Sequence, residues 1–300
     1  MKLRKSGLVT ILGRPNVGKS TLLNRLAGEK IAIVTDKPQT TRKRISAVVC
    51  RGDTQFVFID TPGFHKPRNR LGEVMVKAVR ESADGVDAVL LMVEPVARVG
   101  IPEGLLLERQ KQTGVPVILV VNKIDTVKKE ILLPTIEIYR KAFDFEAVVP
   151  LSAKTGDGVG QLFDELLPHI PEGPALYPEG MVSDLHERQI VAELVREKLL
   201  NLLDQEVPHG IAVVTETLRE GENGIIEVSV AISCEKASHK GIIIGKNGSM
   251  LKKVGLLMRS ELEDMYGGQV LFTSWVRVRD GWRDKPEQLR ELGFLDGKQP

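Results

Sequence analysis

The chain has 300 residues, which exceeds the usual length of one domain, so we expect two domains that each bury a core. Its 42 lysines and arginines nearly balance 40 aspartates and glutamates, and the net charge of +2 excludes a protein that is basic over its whole surface. Any surface for a polyanion must therefore be local. No stretch approaches the roughly 18 apolar residues of a membrane span, and the apolar run near the start is too short for a signal peptide.

Cys50 and Cys234 lie in separate apolar runs, with no second Cys or His at a metal-ligand spacing. This usage predicts free, buried thiols in a reducing compartment, so we expect a cytoplasmic protein.

Short apolar runs alternate with amphipathic stretches in the first half of the chain. We predict strands in LVTIL, ISAVVC, QFVFID, DAVLLMV, PVILVVN and EAVVPLS. Apolar strands separated by helices are typical of a mostly parallel sheet with helices on both faces. Residues 1–170 therefore form an α/β domain, and the proline-rich stretch 168–180 leads us to assign 171–182 to a linker.

The second half has a different order of elements. Apolar spacing predicts a helix over residues 184–203 with Ser183 as its cap, and two β-branched runs flank a hairpin turn at 220–224. A glycine loop follows, then a helix from about 249 to 266, ended by Gly267, and a last strand in QVLFTSWVRV. The order α, β, β, loop, α, β predicts an α+β domain over residues 183–300.

GRPNVGKS, residues 13–20, matches GxxxxGK[ST] between a predicted strand and helix. Backbone N–H groups and the helix N-terminus of such a loop attract phosphate oxygens. Lys19 can reach the terminal phosphates, and Ser20 can ligate Mg²⁺. The alternative is a glycine turn that only joins strand to helix, and the motif does not identify the nucleotide.

NKID, residues 122–125, distinguishes guanine from adenine nucleotides. Asp125 can accept from two adjacent N–H groups on guanine, which adenine lacks, so GTP is preferred to ATP. Taken alone, Asp125 would be a solvated turn residue. SAK, residues 152–154, follows the next strand, and the N–H of Ala153 could meet the guanine O6.

DTPGF, residues 60–64, again ends a predicted strand. Asp60 can hold Mg²⁺ through water, and Gly63 lets its own N–H approach the γ-phosphate. Either Thr40 or Thr41, with Thr41 preferred, could ligate Mg²⁺ only while that phosphate is present. A polar basic loop without a role is the alternative for this threonine pair.

These motifs together resemble the GTPase domain of the translation-factor-related bacterial GTPases. Residues expected to contact the nucleotide are Gly13, Arg14, Pro15, Asn16, Val17, Gly18, Lys19, Ser20, Thr21, Thr40, Thr41, Asp60, Thr61, Pro62, Gly63, Phe64, Asn122, Lys123, Ile124, Asp125, Ser152, Ala153 and Lys154. The metal ligands expected are Ser20, Thr41 and Asp60, and the catalytic contributions come from Asn16, Lys19, Thr41 and Gly63.

Phe64 departs from the Ras-like pattern, in which a glutamine at this position orients the attacking water. A hydrophobic side chain cannot do so, and we predict slow intrinsic hydrolysis. Asn16 either helps to hold K⁺ near the phosphates, as in related GTPases with a hydrophobic substitution, or is a structural residue of the turn.

The second glycine loop lies in GIIIGKNGSM, residues 241–250, and cannot repeat the first. Gly241 and Gly245 are one residue too close, and Asn247 stands where the Mg²⁺-binding hydroxyl is needed. The pattern G-x-x-G from Gly245 to Gly248 instead suits a sugar-phosphate backbone, although a simple helix-entry turn is the alternative. The RNA-binding residues expected are Lys240, Ile244, Gly245, Lys246, Asn247, Gly248, Lys252 and Lys253.

A GTPase domain followed by one type II KH module resembles the Era family of bacterial GTPases over essentially the whole chain. The resemblance implies GTP hydrolysis with Mg²⁺, binding near the 3′ end of 16S ribosomal RNA, assistance in small-subunit biogenesis and weak peripheral attachment to the cell membrane. We expect a monomer. The tail of residues 281–300, with Trp282 and Phe294, either packs on the KH module or folds over the RNA.

Three functions compete at this stage. The first is a GTP-driven RNA-binding switch. The second is a static RNA-binding assembly factor whose nucleotide only stabilises the fold. The third is a P-loop kinase or ATPase acting on a small substrate, which the guanine-specific residues 122–125 disfavour.

Overall fold

The computed structural model describes residues 3–37, 39–64, 67, 69–205 and 207–295. Within these ranges the chain forms two compact units, one of residues 3–67 and 75–184 and one of residues 69–74 and 185–295. No helix in the part described is long and apolar enough to cross a membrane.

The first unit is built on a six-stranded sheet with the strand order β2-β3-β1-β4-β5-β6. Its strands are β1 (Lys5–Leu12), β2 (Ile45–Arg51), β3 (Thr54–Asp60), β4 (Ala88–Val93), β5 (Val117–Val121) and β6 (Ala147–Pro150). All neighbouring pairs are parallel except β2 with β3. The helices up to residue 170 are α1 (Lys19–Ala27), α2 (Arg70–Glu81), α3 (Ile101–Thr113), α4 (Leu132–Ala142) and α5 (Val159–Leu166).

Strands β3, β4 and β5 are buried at every position, as expected for a sheet covered on both faces. The predicted α/β class is confirmed. Because β1, β3, β5 and β6 run in the same direction, the loops that follow them meet at one edge of the sheet, where open α/β sheets bind ligands.

The expected linker is bound along the first unit, and we call residues 171–184 the strap. Val48 donates its N–H to the carbonyl of Val182 (2.8 Å), and Ser46 donates its N–H to the Asp184 carboxylate (2.9 Å). The strap therefore extends the sheet beyond β2.

Gln55 on β3 fixes an earlier part of the strap. Its fully buried amide donates to the carbonyl of Tyr177 (2.9 Å) and accepts from the N–H groups of Leu176 (2.8 Å) and Tyr177 (3.0 Å). One side chain thus replaces a strand partner for this stretch.

The second unit has a three-stranded sheet in the order β7-β8-β9, with β7 antiparallel and β9 parallel to β8. Its elements are α6 (Glu187–Leu202), β7 (Ala212–Glu220), β8 (Ile226–Cys234), α7 (Ala237–Ile244), α8 (Ser249–Tyr266), β9 (Val270–Val278) and α9 (Pro286–Glu291). Apolar residues of α6, α7 and α8 pack against the sheet to form one core. The predicted α+β class is confirmed.

One local prediction here was wrong, and one helix was not predicted. Ser183 does not cap a helix, because it forms an antiparallel bridge with Ala47 of the edge strand, and α6 begins after a capping box of His186 and Gln189. The segment before the glycine loop is a helix, α7, although its isoleucines have low helix propensity. Ile243 is fully buried, so packing overrides that propensity.

The described part of the tail, up to residue 295, packs on the second unit. Trp282 is fully buried, donates its indole N–H to the carbonyl of Gly210 (2.9 Å) and stacks on Phe294 with ring centroids 5.7 Å apart. Of the two alternatives, this portion takes the first, and residues 296–300 lie outside the described ranges.

Both cysteines are free thiols, and Cys234 is buried as predicted. Cys50 is exposed, since it lies near the outer end of the edge strand β2, where burial fades.

Candidate functional site

A cavity of about 410 Å³ opens at the carboxyl edge of the first sheet, within the size range of small-molecule sites. Fourteen of the expected nucleotide residues line it: Pro15, Asn16, Gly18, Lys19, Ser20, Thr21, Thr40, Thr41, Gly63, Asn122, Lys123, Asp125, Ala153 and Lys154. The others, Gly13, Arg14, Val17, Asp60, Thr61, Pro62, Phe64, Ile124 and Ser152, are not among its lining residues.

Lys19 lies at the base of the phosphate loop. Its buried ammonium group donates to the carbonyls of Gly13 (3.3 Å) and Arg14 (3.0 Å). Burial lowers the pKa of Lys19, and the charge of Asp60 acts in the opposite direction. The lysine is thus a poorly solvated cation, for which a phosphate oxygen would be a better partner than two carbonyls.

Ser20, Thr41 and Asp60 converge on one point. The Ser20 hydroxyl donates to Asp60 Oδ2 (2.6 Å), the Thr41 hydroxyl donates to the same oxygen (3.2 Å), and the two hydroxyls lie 2.8 Å apart. Three segments of the chain therefore bring three oxygen-bearing side chains together, as the motifs predict.

Asp60 is completely buried, and burial raises its pKa against the opposing effects of Lys19, the two hydroxyls and a backbone N–H. Its second oxygen, Oδ1, has no hydrogen-bond partner within the described part of the chain. A buried carboxylate with an unsatisfied oxygen beside two hydroxyls fits a hard cation such as Mg²⁺.

The two threonines of the loop before β2 have different surroundings. Thr40 donates to the carbonyl of Lys37 (2.6 Å) and lies 2.8 Å from the hydroxyl of Thr35, and both of these contacts are within the loop. Thr41 reaches Asp60. The geometry favours Thr41 as the metal ligand.

Gly63 packs against the phosphate loop so closely that a side chain does not fit. A Cβ atom added there would lie 2.7 Å from the backbone nitrogen of Pro15. The next residue, Phe64, donates its N–H to the carbonyl of Gly13 (3.3 Å), and its ring packs on the core of the first unit. Thr61 anchors the segment through a bond from its hydroxyl to the carbonyl of Ile11 (2.9 Å).

Asn122 joins the phosphate loop to the guanine-specific loops. Its buried amide donates to the carbonyl of Val17 (2.8 Å) and accepts from the N–H of Ala153 (2.8 Å). Asp125 lies in an exposed 3₁₀ turn at the cavity wall, where its carboxylate is available to a ligand. Ser152 accepts from the N–H of Thr155 (3.1 Å), which shapes the loop instead of the cavity.

Asn16 adopts a left-handed conformation, with φ of 65°, in the phosphate loop. Its amide donates to the carbonyl of Asp36 (2.7 Å) in the loop that carries Thr41. This contact links the phosphate loop to the segment expected to move with the nucleotide.

Sequence reasoning missed two residues of α1 that hold the cavity's walls. Asn24 donates to the carbonyl of Ala32 (2.7 Å) and accepts from its N–H (2.8 Å), fixing the start of the loop before β2. Arg25 donates to the carbonyls of Ala153 (3.3 Å) and Lys154. Their only sequence signal is their place on the helix that follows the phosphate loop.

The glycine loop of the second unit joins α7 to α8. Gly245 has φ of 76° and ψ of 168°, a combination open essentially only to glycine, and an added Cβ would lie 2.7 Å from the N of Met250. At Gly248 an added Cβ would meet no described heavy atom within 4 Å. The loop is therefore tightly formed on its inner side and open at Gly248.

The lysines expected at this loop surround it in sequence. Lys246 and Asn247 at its tip are exposed, as are Lys252 and Lys253 near the start of α8, whereas Lys240 on α7 is half-buried. Ile244, expected to contact bases, is half-buried and packs partly on the core.

Comparison with known proteins follows this division into two units. The family described as 50S ribosome-binding GTPase matches residues 8–123, and the KH domain family matches residues 206–283. GTPase Era of Clostridium perfringens is 47% identical over 290 residues, covering 97% of this chain and 98% of that protein. The chain belongs to the Era family of GTPases.

Solved structures of Era share the fold. Era in complex with MgGDPNP and nucleotides 1506–1542 of 16S ribosomal RNA has a TM-score of 0.91 at 36% identity, over 97% of this chain and 99% of that one. A variant of Aquifex aeolicus Era bound to GDP.AlF4⁻ has a TM-score of 0.90 at 37% identity over the same shares. The predicted family and its GTPase activity are confirmed.

Proposed function

We propose that this protein is a GTP-driven switch that binds 16S ribosomal RNA near its 3′ end and assists small-subunit biogenesis. The observation that carries the switch is the convergence of Ser20, Thr41 and Asp60, because Thr41 belongs to a loop outside the helices and strands, whose contact with the metal site would depend on the γ-phosphate. Similarity over the whole chain to an Era structure containing 16S RNA supports the target. The 50S description belongs to the broader GTPase family, which matches only residues 8–123.

In this proposal different residues of the first unit bind the metal ion and the phosphates of GTP. Ser20, Thr41 and Asp60 hold Mg²⁺, whose charge helps to neutralise the transferred phosphoryl group. Lys19 exchanges its carbonyl partners for phosphate oxygens. Gly63 offers its N–H to the γ-phosphate at the point where no side chain fits.

The guanine base is recognised at the opposite end of the cavity. Asp125 accepts from the base edge, while Asn122 fixes the N–H of Ala153 in place. Asp125→Asn removes the acceptor pair, so we expect weaker GDP binding with a gain for xanthosine diphosphate. Titrating both nucleotides against the native chain and the variant tests this, and unchanged selectivity would remove Asp125 from the base site.

RNA binds at the turn from Gly245 to Gly248 in this proposal. The open side of Gly248 admits a sugar-phosphate backbone to main-chain N–H groups, and the exposed Lys246, Lys252 and Lys253 supply the charge. The half-buried Ile244 and Lys240 lie beside the bound RNA strand.

The decisive experiment places a carboxylate in that opening. Gly248→Asp should weaken binding of a 16S 3′-end oligonucleotide at least about tenfold at 150 mM salt without changing GDP affinity. Gly224→Asp is the matched control, since Gly224 has a similar φ of 73° beside the far end of α8, roughly 27 Å along an 18-residue helix. Equal RNA affinity for the two variants would refute the placement.

Nucleotide dependence separates a switch from a static factor. The native chain should bind the oligonucleotide at least about fivefold more tightly with a non-hydrolysable GTP analogue than with GDP, a coupling typical of two-state proteins. Equal affinities would support a static assembly factor instead.

We also propose a K⁺ ion beside Asn16. The support is the left-handed Asn16, whose amide lies against the Asp36 carbonyl, an oxygen of the kind that binds monovalent cations. GTP turnover should be faster in KCl than in NaCl, and Asn16→Gly, which keeps the backbone conformation, should abolish the difference. Equal turnover of the native chain in both salts would leave Asn16 a structural residue.

For location, we propose a cytoplasmic monomer with weak peripheral attachment to the inner face of the cell membrane. The support is the family resemblance and scattered basic residues. Flotation with anionic vesicles should show weak binding that salt removes. No flotation at low salt would refute the attachment.

A further inference from the structure

Two carboxylates lie behind the nucleotide cavity without lining it. Glu94 directly follows β4, and Glu103 lies in the first turn of α3. Neither belongs to a nucleotide-binding motif. Both contact residues that do.

Glu94 lies between the guanine-specific loop and the phosphate loop. One of its oxygens is in contact with the Lys123 ammonium group, and the other lies 3.8 Å from the guanidinium of Arg14. Each of these three side chains is about one-third exposed. Water therefore weakens the pairs without removing them.

Glu103 holds the same arginine from the other side. Its side chain is fully buried and contacts Nε of Arg14, and neither of its oxygens has an aligned hydrogen bond within the described ranges. Burial, together with the negative charge of Glu103, raises the pKa of the neighbouring Tyr139. The contact is thus held by charge, and Arg14 would be difficult to withdraw from a carboxylate that has no solvent.

The result is a chain of alternating charge, Lys123, Glu94, Arg14 and Glu103, which we call the rear charge chain. It is neutral overall, so it presents no net negative charge to an incoming triphosphate. Because Arg14 is paired with Glu94 and Glu103, it does not bind the phosphates, which are contacted by Lys19 and by backbone N–H groups instead. Arg14, although part of the motif, is not among the residues that line the cavity.

Both ends of the rear charge chain affect the cavity directly. Lys123 lines it and holds a left-handed backbone, with φ of 63°, that costs energy for a residue with a side chain. Arg14 supplies the carbonyl that accepts from Lys19. A group that fixes Lys123 and Arg14 together fixes the base wall relative to the phosphate loop.

We propose that Glu94 is a positioning residue for guanine nucleotides, acting through Lys123 and Arg14 and touching neither base nor phosphate. It should slow the release of GDP and GTP by the same factor, because both nucleotides meet the same base wall and loop. It should not affect the chemical step.

The test is Glu94→Gln, which keeps the shape and removes the charge. Dissociation of fluorescent GDP and of a fluorescent GTP analogue should both accelerate by about five- to tenfold, while kcat at saturating GTP stays within about twofold. Glu108→Gln is the matched control, since Glu108 is an exposed carboxylate of α3 paired only with Lys111 at 2.6 Å in the described structure. Its dissociation rates should match those of the native chain.

A double-mutant cycle distinguishes positioning from a general loss of structure. Adding Glu94→Gln to Lys123→Met should accelerate dissociation by a smaller factor than Glu94→Gln does in the native chain, because Lys123, one of the two partners of Glu94, is already absent and only the longer contact with Arg14 remains. Glu94→Asp, which keeps the charge, should recover part of the native rate. Glu94→Gln rates equal to those of Glu108→Gln, or full additivity with Lys123→Met, would overturn the proposal, and RNA binding plays no part in either measurement.

Discussion

Asn122 lines the nucleotide cavity and ties two of its walls together. Its two 2.8 Å hydrogen bonds, to the carbonyl of Val17 and from the N–H of Ala153, are the only ones this amide makes in the described structure. All three residues are buried, with exposed fractions of at most 2%. The substitution Asn122→Ala removes both bonds at once.

The expected magnitude follows from what is left behind. Each lost hydrogen bond is worth about 1 kcal/mol, and a buried partner left unsatisfied adds to this, so we expect a loss of about 2–4 kcal/mol in the free energy of unfolding of the first unit. The same loops form the nucleotide site. GDP affinity should therefore fall at least about tenfold.

Urea unfolding offers an internal control, since both tryptophans, Trp275 and Trp282, belong to the second unit. The transition seen by circular dichroism should shift, whereas the tryptophan fluorescence of the second unit should not. Asn201→Ala, at an exposed position of α6, should change stability by less than about 0.5 kcal/mol. An Asn122→Ala variant with native GDP affinity and a native unfolding curve would refute the reasoning.

Three further predictions use other contacts. Gly63→Ala should separate the segment after β3 from Pro15, since the new Cβ would lie 2.7 Å from a backbone atom of Pro15. The kcat in a phosphate-release assay should fall more than about tenfold, while GDP affinity changes less than about threefold. A native kcat would contradict this. Gln55→Ala removes three hydrogen bonds to the strap, so the free energy of unfolding measured in urea should fall by about 2–3 kcal/mol. Proteolysis within residues 171–184 should also become faster, and native protease resistance would contradict the prediction. Burial raises the pKa of the Cys234 thiol, so its thiolate fraction at any pH is below that of an ordinary cysteine. A thiol reagent at pH 8 should therefore modify the exposed Cys50 first, and Cys234 only slowly or after unfolding. Equal modification rates for the two cysteines in the native chain would refute this prediction.

The sequence predicted those parts of the site that lie in short motifs at strand ends. Ser20 and Asp60 could be placed together because the parallel strands β1 and β3 direct their following loops to one edge of the sheet. Thr41 lies in the loop before β2, and its place followed from the order of the motifs. The choice between Thr40 and Thr41 needed the structure, since adjacent hydroxyls differ only in where the backbone points them.

Other residues could not be predicted because their partners are distant in sequence. Arg25 is 128 residues from the carbonyl of Ala153, and no local pattern relates the two. Glu94 and Glu103 look like ordinary surface acids in the sequence. Ser183 shows the opposite failure, in which a good local cap signal was outweighed by pairing with an edge strand.

The strap has a consequence for the behaviour of the protein at high concentration. β2 is an outer strand of the six-stranded sheet, and such strands expose unpaired N–H and C=O groups on which a second molecule can add. Val182 and Asp184 occupy these groups at Ser46 and Val48, within the same chain. The opposite outer strand, β6, has only four residues and ends at Pro150, which has no N–H to donate. Both outer strands of the sheet are therefore poor sites for pairing with the sheet of a second molecule, which is a first step of aggregation.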